Sequence, residues 1–180
     1  IAWFQEYWIG RNQERHLGSH CDAKHTRLPS VLVEADSWYN SSLMPHAARW
    51  HLPLPEPLAS KAYLAETLSQ TLRLLEKTSE SDDALYFYRL VLFHEAMHLE
   101  AAIYMAQALG VKIATDLIAP KAINTPARGQ FNHIKQDYKL GYDMTGLNTG
   151  FAFDNELEAH VVQLDAFAID SRCVNWGEYM

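Results

Sequence analysis

Glu95 stands between two histidines in His94-Glu95-x-x-His98, within the run LVLFHEAMHLEAA at residues 90–102. Two neutral imidazoles one helical turn apart can aim their nitrogens at a single ion, so this spacing supplies half of a metal site. The same pentapeptide is the zinc-protease signature, in which the glutamate is the base acting on metal-bound water. A pair of core histidines bonded to other side chains is the alternative without a metal. At about 100° per residue, Phe87, Val91, His94, His98, Ala101, Met105 and Leu109 fall on one narrow face. This predicts histidines that point into a core, not at water, and it favours His94 and His98 as metal ligands. The protease reading needs a third ligand. Ala101 and Tyr104 occupy the Gly and third His positions of the longer protease motif. No Glu occurs between Ala101 and Phe153, where only Asp116, Asp137 and Asp143 carry carboxylates. Glu95 lies off the histidine stripe and is expected not to act as a catalytic base.

Other residues with chemistry to offer sit in loops. His46, Arg49 and His51 occur in PHAARWHLPLP, a segment whose prolines fix an irregular backbone. Arg49 has the planar fork to pair with a substrate carboxylate, or equally to cap loop carbonyls. His16, His20 and His25 surround Cys21 in a polar stretch. A zinc site there would want more thiolates at tighter spacing, so these are expected to be solvated loop residues.

The elements that must hold these residues follow from periodicity. Residues 1 to about 15 read as the remainder of a helix, with Trp3, Phe4, Tyr7, Trp8 and Arg11 as an aromatic stripe. LPLPEP should be extended. A helix is expected over residues 60–77, with Leu64, Leu68, Leu72 and Leu75 on its buried face. Another should run from about Asp83 to Leu109. SESDD supplies its N-cap and first-turn acids, and Gly110 its stop. Beyond Gly110 the pattern changes to a proline-containing linker, then to the strand-like HIKQDYKLGYD and HVVQLDAFAID, with turns such as MTGLNTG between. VNWGEYM reads as a helix beginning.

The 180 residues are 48% hydrophobic and 21% charged with a formal net charge of −7, a globular composition without the clustered cations a nucleic-acid partner requires. No stretch reaches the ~18–20 apolar residues of a membrane span. Cys21 and Cys173 form no spacing pattern, which fits a reducing, cytoplasmic setting. The chain has no initiator Met and reads as an internal piece of a longer protein.

In order along the chain, IAWFQEYWIGRN, YNSSLMPHAARWHLPLP, HEAMHLEA and GFAFDNELEAHVVQLDAFAID followed by VNWGEY resemble motifs of the hercynine oxygenases, the sulfoxide synthases of ergothioneine biosynthesis. The resemblance implies an α+β fold. A DinB-like four-helix bundle over 1–112 and a linker over 113–127 would precede the start of a formylglycine-generating-enzyme-like, C-type-lectin-like domain over 128–180. It implies one Fe(II) held by three histidines, two of them His94 and His98 and the third just before Ile1. Catalytic residues would lie beyond Met180, with Arg49 in the substrate loop. The implied substrates are hercynine, a thiol donor and O2, and the implied reaction joins sulfur to the imidazole C2 of hercynine. Two departures bear on the donor. Met97 stands where many members have Gln, and Val174-Asn175-Trp176-Gly177-Glu178 replaces Val-Thr-Asn-Gly-Glu. The related selenoneine synthases, which take a selenosugar, share the architecture. A non-catalytic metal-binding bundle and a zinc protease are the competing readings.

Overall fold

The computed structural model describes residues 1–113, 125–143 and 150–180, with His46 described by its backbone alone. The chain is mixed helix and sheet, α+β, and separates into two compact units. Unit 1 comprises residues 1–113 and 149–153, and unit 2 comprises 114–148 and 154–180. The expected linker lies mostly outside the described residues, as do Asp116 and all but the last residue of the MTGLNTG turn.

Unit 1 is helical. Helix α1 (Ala2–Gln5) widens into a π-helical turn at Glu6–Gly10, and a 3-10 segment follows at Arg15–His20. Helix α2 (Ala35–Tyr39) and a 3-10 turn (His46–His51) interrupt the irregular stretch that leads to α3 (Pro57–Leu75) and α4 (Asp82–Ala108). Helix α3 starts three residues before the expected position because Pro57 sits in its first turn, where a missing N–H costs nothing. Helix α4 is bounded as expected. Ser81 caps it by accepting from Ala84 N–H, and Asp82 and Asp83 occupy its first turn. It ends in a Schellman motif. Gly110 has φ 69°, its N–H donates to Gln107 O, and Val111 N–H donates to Ala106 O.

The core of unit 1 is Ile9, Tyr86, Phe87 and Val91, with Phe4, Trp8, Leu74, Leu90 and Phe151 packed around it. Trp8 stacks on Phe87 at 5.3 Å, and Phe151 packs against Tyr86 and Phe93. One expectation about faces is corrected here. In α3 the buried residues are Tyr63, Thr67 and Thr71, whereas Leu64, Leu68, Leu72 and Leu75 are 37–50% exposed. In the first segment Gln5, Glu6, Ile9, Arg11 and Asn12 are buried, while Trp3, Phe4, Tyr7 and Trp8 are half-buried. The cause is one buried carboxylate. Glu6, 1% exposed, accepts hydrogen bonds from Tyr63 Oη, Ser30 Oγ and Val31 N–H. A buried acid must be satisfied, and meeting Tyr63 turns the Tyr63–Thr67–Thr71 face of α3 toward α1. Burial first, and then this bond to Glu6, push the Tyr63 phenol above its ordinary range.

Gly18 closes the remaining side. It takes φ 57°, and a Cβ there would lie 2.7 Å from Asp83 Cα, so only glycine lets the 3-10 segment meet the start of α4.

Unit 2 holds two antiparallel ribbons. Strand β1 (Gln130–His133) pairs with β4 (Phe167–Asp170), and β2 (Gln136–Leu140) pairs with β3 (His160–Leu164). The two strand-like stretches are thus four short strands, since Asp165 and Ala166 break the second and β1 begins before the first. Helix α5 (Trp176–Tyr179) opens with a capping box between Asn175 and Glu178. Arg172 forks onto Glu178 at 2.7 and 2.8 Å. Among the described residues, no helix is long and apolar enough to cross a membrane.

Candidate metal centre and its cleft

His94 and His98 both lie on α4, and their Nε2 atoms are 3.2 Å apart. Two nitrogens each about 2.1 Å from one ion would be separated by ~3.0 Å in a cis octahedral pair and ~3.4 Å in a tetrahedral one. The observed separation lies between these values, so the pair fits a bidentate contribution to a single ion. The rings themselves are 4.5 Å apart and tilted by 66°. Phe4 stacks flat on His94 with centroids 3.6 Å apart and 8° between planes, which restricts the His94 ring to one orientation.

The expectation that both imidazoles point into a core needs correction. His94 is half-buried, His98 is exposed, and Met105 and Leu109 further along the stripe are 54% and 74% exposed. Among the described residues the core covers α4 only as far as Val91. Both histidines instead border a cleft of ≈320 Å³, a size suited to a small ligand. Burial, and secondarily the neighbouring His98, push the His94 pKa down to about 4. At neutral pH its imidazole is therefore uncharged, which is the form that binds a metal.

The rest of the cleft is built from three other segments of unit 1: Trp3 and Phe4 from α1, Trp38 and Tyr39 from α2, and Arg49, Leu52 and Leu54 from the proline-rich stretch. The structure thus brings Arg49 to the same cleft as His94 and His98. Arg49 is exposed, and its Nη2 donates one long 3.4 Å bond to Ser41 O. Most of its five donors stay available for a carboxylate. Glu95 is exposed and does not line the cleft, and neither does Met97, which is 50% exposed.

Helix α2 is held in place by an ionic clamp that sequence reasoning missed. Arg11 forks onto Asp36 at 2.7 and 2.8 Å, and its Nε donates to Leu28 O. Trp3 Nε1 donates to the same Asp36 at 2.6 Å. The Arg11 guanidinium, opposed by partial burial and helped by Trp3, holds the Asp36 carboxyl below its ordinary range. One acid therefore ties α1, which carries Phe4, to α2, which carries Trp38 and Tyr39. The sequence signal was slight: an acid in the first turn of a five-residue helix, and an arginine read as part of an aromatic stripe.

His16 and His20 are exposed, as expected of a polar loop, but His25 is not. Its side chain is 12% exposed and lies 3.3 Å from Glu14 and 3.6 Å from Cys21. His51 is exposed and does not line the cleft.

No family model matches the chain. Three curated proteins named hercynine oxygenase do. The Mycolicibacterium thermoresistibile protein is 30% identical over 166 residues, covering 89% of this chain and 35% of that protein. The Mycobacterium tuberculosis protein is 29% identical over 95% of this chain and 40% of its own length. The Mycolicibacterium smegmatis protein is 28% identical over 96% of this chain and 40% of its own length. The chain spans well under half the length of these relatives. Three matches of one name that extend along nearly all of the chain support its assignment to the hercynine oxygenase family.

Proposed function

We propose that the chain belongs to a non-haem, Fe(II)- and O2-dependent enzyme that forms a C–S bond at the imidazole C2 of hercynine. In this reading unit 1 is the DinB-like bundle, unit 2 is part of the formylglycine-generating-enzyme-like domain, and the protein works in the cytoplasm. The observation that carries the proposal is the convergence of His94 and His98 Nε2 atoms, 3.2 Å apart, at a cleft that also contains Arg49. The names of the relatives supply the substrate.

His94 and His98 would hold the iron as neutral ligands, leaving the ion its full positive charge for an anionic donor. Iron bound there would supply the redox capacity and open positions that O2 activation requires. Phe4 orients His94. Trp3, Trp38 and Tyr39 wall the cleft with aromatic surface and limit water beside the reacting groups. Arg49 takes a substrate carboxylate in its fork. The donor in this proposal is a thiol.

The test is turnover by the full-length protein with hercynine and a thiol donor, in air and without it. Product formation only in air supports the proposal. Turnover without O2, or peptide hydrolysis, would replace it with a hydrolase. A product formed from a selenosugar and not from the thiol would reassign the donor while keeping the chemistry.

A further inference from the structure

We propose that Glu14, Cys21 and His25 form a second metal site in unit 1, suited to a borderline cation such as Zn(II). None of the three lines the His94–His98 cleft. Their ligand atoms all lie within 4.8 Å of one another. His25 Nδ1 is 3.3 Å from Glu14 Oε2 and 3.6 Å from Cys21 Sγ. Around an ion with metal–nitrogen and metal–oxygen distances of ~2.0 Å and a metal–sulfur distance of ~2.3 Å, tetrahedral edges would be ~3.3 Å for N–O and ~3.5 Å for N–S. Both observed edges are close to those values. Asp22 O, 2.7 Å from Nδ1 and 3.6 Å from Sγ, accepts hydrogen bonds from both groups here; coordination would replace those bonds, and water would supply the fourth ligand.

Carboxylate and thiol approach the same imidazole nitrogen. A nucleophilic Cys–His–Glu relay would use opposite ring nitrogens, one toward the sulfur and one toward the acid. Convergence on Nδ1 suits an ion and not a relay. The ligands are held by local structure. Glu14 and Cys21 flank the 3-10 segment Arg15–His20, and Cys21 N–H donates to Gly18 O. His25 is returned by an Asx turn, in which Asp22 Oδ1 accepts from Lys24 N–H and Asp22 O accepts from His25 N–H. Asn12, fully buried, accepts from Glu14 N–H through Oδ1 and lies 3.7 Å from Cys21 Sγ, a supporting contact of the kind metal sites use.

The nearest cation is Arg27, stacked on Tyr7 and Trp8, with its Nε and Nη2 buried and lacking hydrogen-bond partners. Its Nη1 is 2.6 and 2.7 Å from the two ring nitrogens of His25. Nearly equal reach to both places it off either lone-pair axis, so it does not take the place of an ion between Nδ1, Glu14 and Cys21. Binding would release the thiol proton and leave the imidazole proton on Nε2. A thiolate and a carboxylate then balance a divalent ion.

Co(II) is the probe, added to the full-length protein, because thiolate-to-cobalt charge transfer gives a near-ultraviolet band that histidine-only sites lack. The band should appear at one equivalent. It should persist in the His94→Ala/His98→Ala variant and in Cys173→Ser, and vanish in Cys21→Ser. His25→Gln should weaken binding at least about a hundredfold, the upper end for losing a mere supporting contact. Absence of the band in the wild-type protein, or its survival in Cys21→Ser, would overturn the site. Either result leaves the His94–His98 reading standing.

Discussion

Removing the Glu6 carboxylate should loosen the end of unit 1 that carries Phe4. Glu6 is 1% exposed and serves three donors, of which Tyr63 Oη, on a residue 8% exposed, has least access to water. A donor left unsatisfied in a buried site costs about 1–3 kcal/mol, whereas donors that water can reach lose only the ~0.5–1.5 kcal/mol net worth of their bonds. Against these losses stands the desolvation of the carboxylate itself, which the variant no longer bears. The balance for Glu6→Ala is about 2–4 kcal/mol of destabilisation. Glu6→Gln keeps an acceptor and should cost about 1–2 kcal/mol. Hydrogen–deuterium exchange of the full-length protein, read on segments 2–10 and 57–75, measures the opening directly. At 1.4 kcal/mol per tenfold, Glu6→Ala should speed exchange there by roughly thirty- to several-hundredfold. Tyr63→Phe removes the most deeply buried donor, so adding Glu6→Ala to it should cost less than Glu6→Ala alone. If Glu6→Ala changes exchange by less than about fivefold, or its effect simply adds to that of Tyr63→Phe, the carboxylate does not set the α1–α3 packing.

Arg49→Lys should raise KM for the carboxylate-bearing substrate by about tenfold, the loss of a bidentate pair. Because Arg49 is exposed with one long hydrogen bond, its thermal stability should be unchanged; unchanged kinetics would make Arg49 structural. Asp36→Asn should destabilise unit 1 at neutral pH, and the gap to wild type should close in acid. The folded Asp36 carboxyl titrates below its ordinary value, so its stabilising effect is complete above the unfolded value near ~4 and lost as pH falls through the folded one. A pH-independent gap in unfolding free energy would remove the ionic clamp as its cause. Glu95→Gln should retain most aerobic turnover, because Glu95 does not line the cleft; a collapse in turnover would restore the catalytic-base reading.

Helix α4 was legible because its signals are local: an N-cap serine, first-turn acids, a long apolar pattern and a terminal glycine. The His94–His98 pair was legible for the same reason, since four-residue spacing alone sets its geometry. The buried face of α3 was not. Leucine periodicity pointed to Leu64, Leu68, Leu72 and Leu75, but a glutamate 57 residues before Tyr63 chose the adjacent face, about a quarter-turn round the helix. Tertiary satisfaction of one buried charge overrode a hydrophobic pattern, and single-segment periodicity carries no trace of it. The cleft walls were hidden likewise. Trp38 and Tyr39 reach the cleft on a helix too short to show a period, positioned by a clamp between residues 25 apart. The cluster at His25 escaped because its ligands are spaced unlike a thiolate-rich zinc motif and meet through the 3-10 fold of Arg15–His20.

The central claim is that His94 and His98 hold one iron, and metal analysis of the full-length protein purified without air tests it most directly. The account predicts about one iron per chain at this centre, lost in both His94→Ala and His98→Ala while the fold, by circular dichroism, is kept. Stoichiometric iron retained in both variants, or zinc in its place at the same histidines, would contradict it.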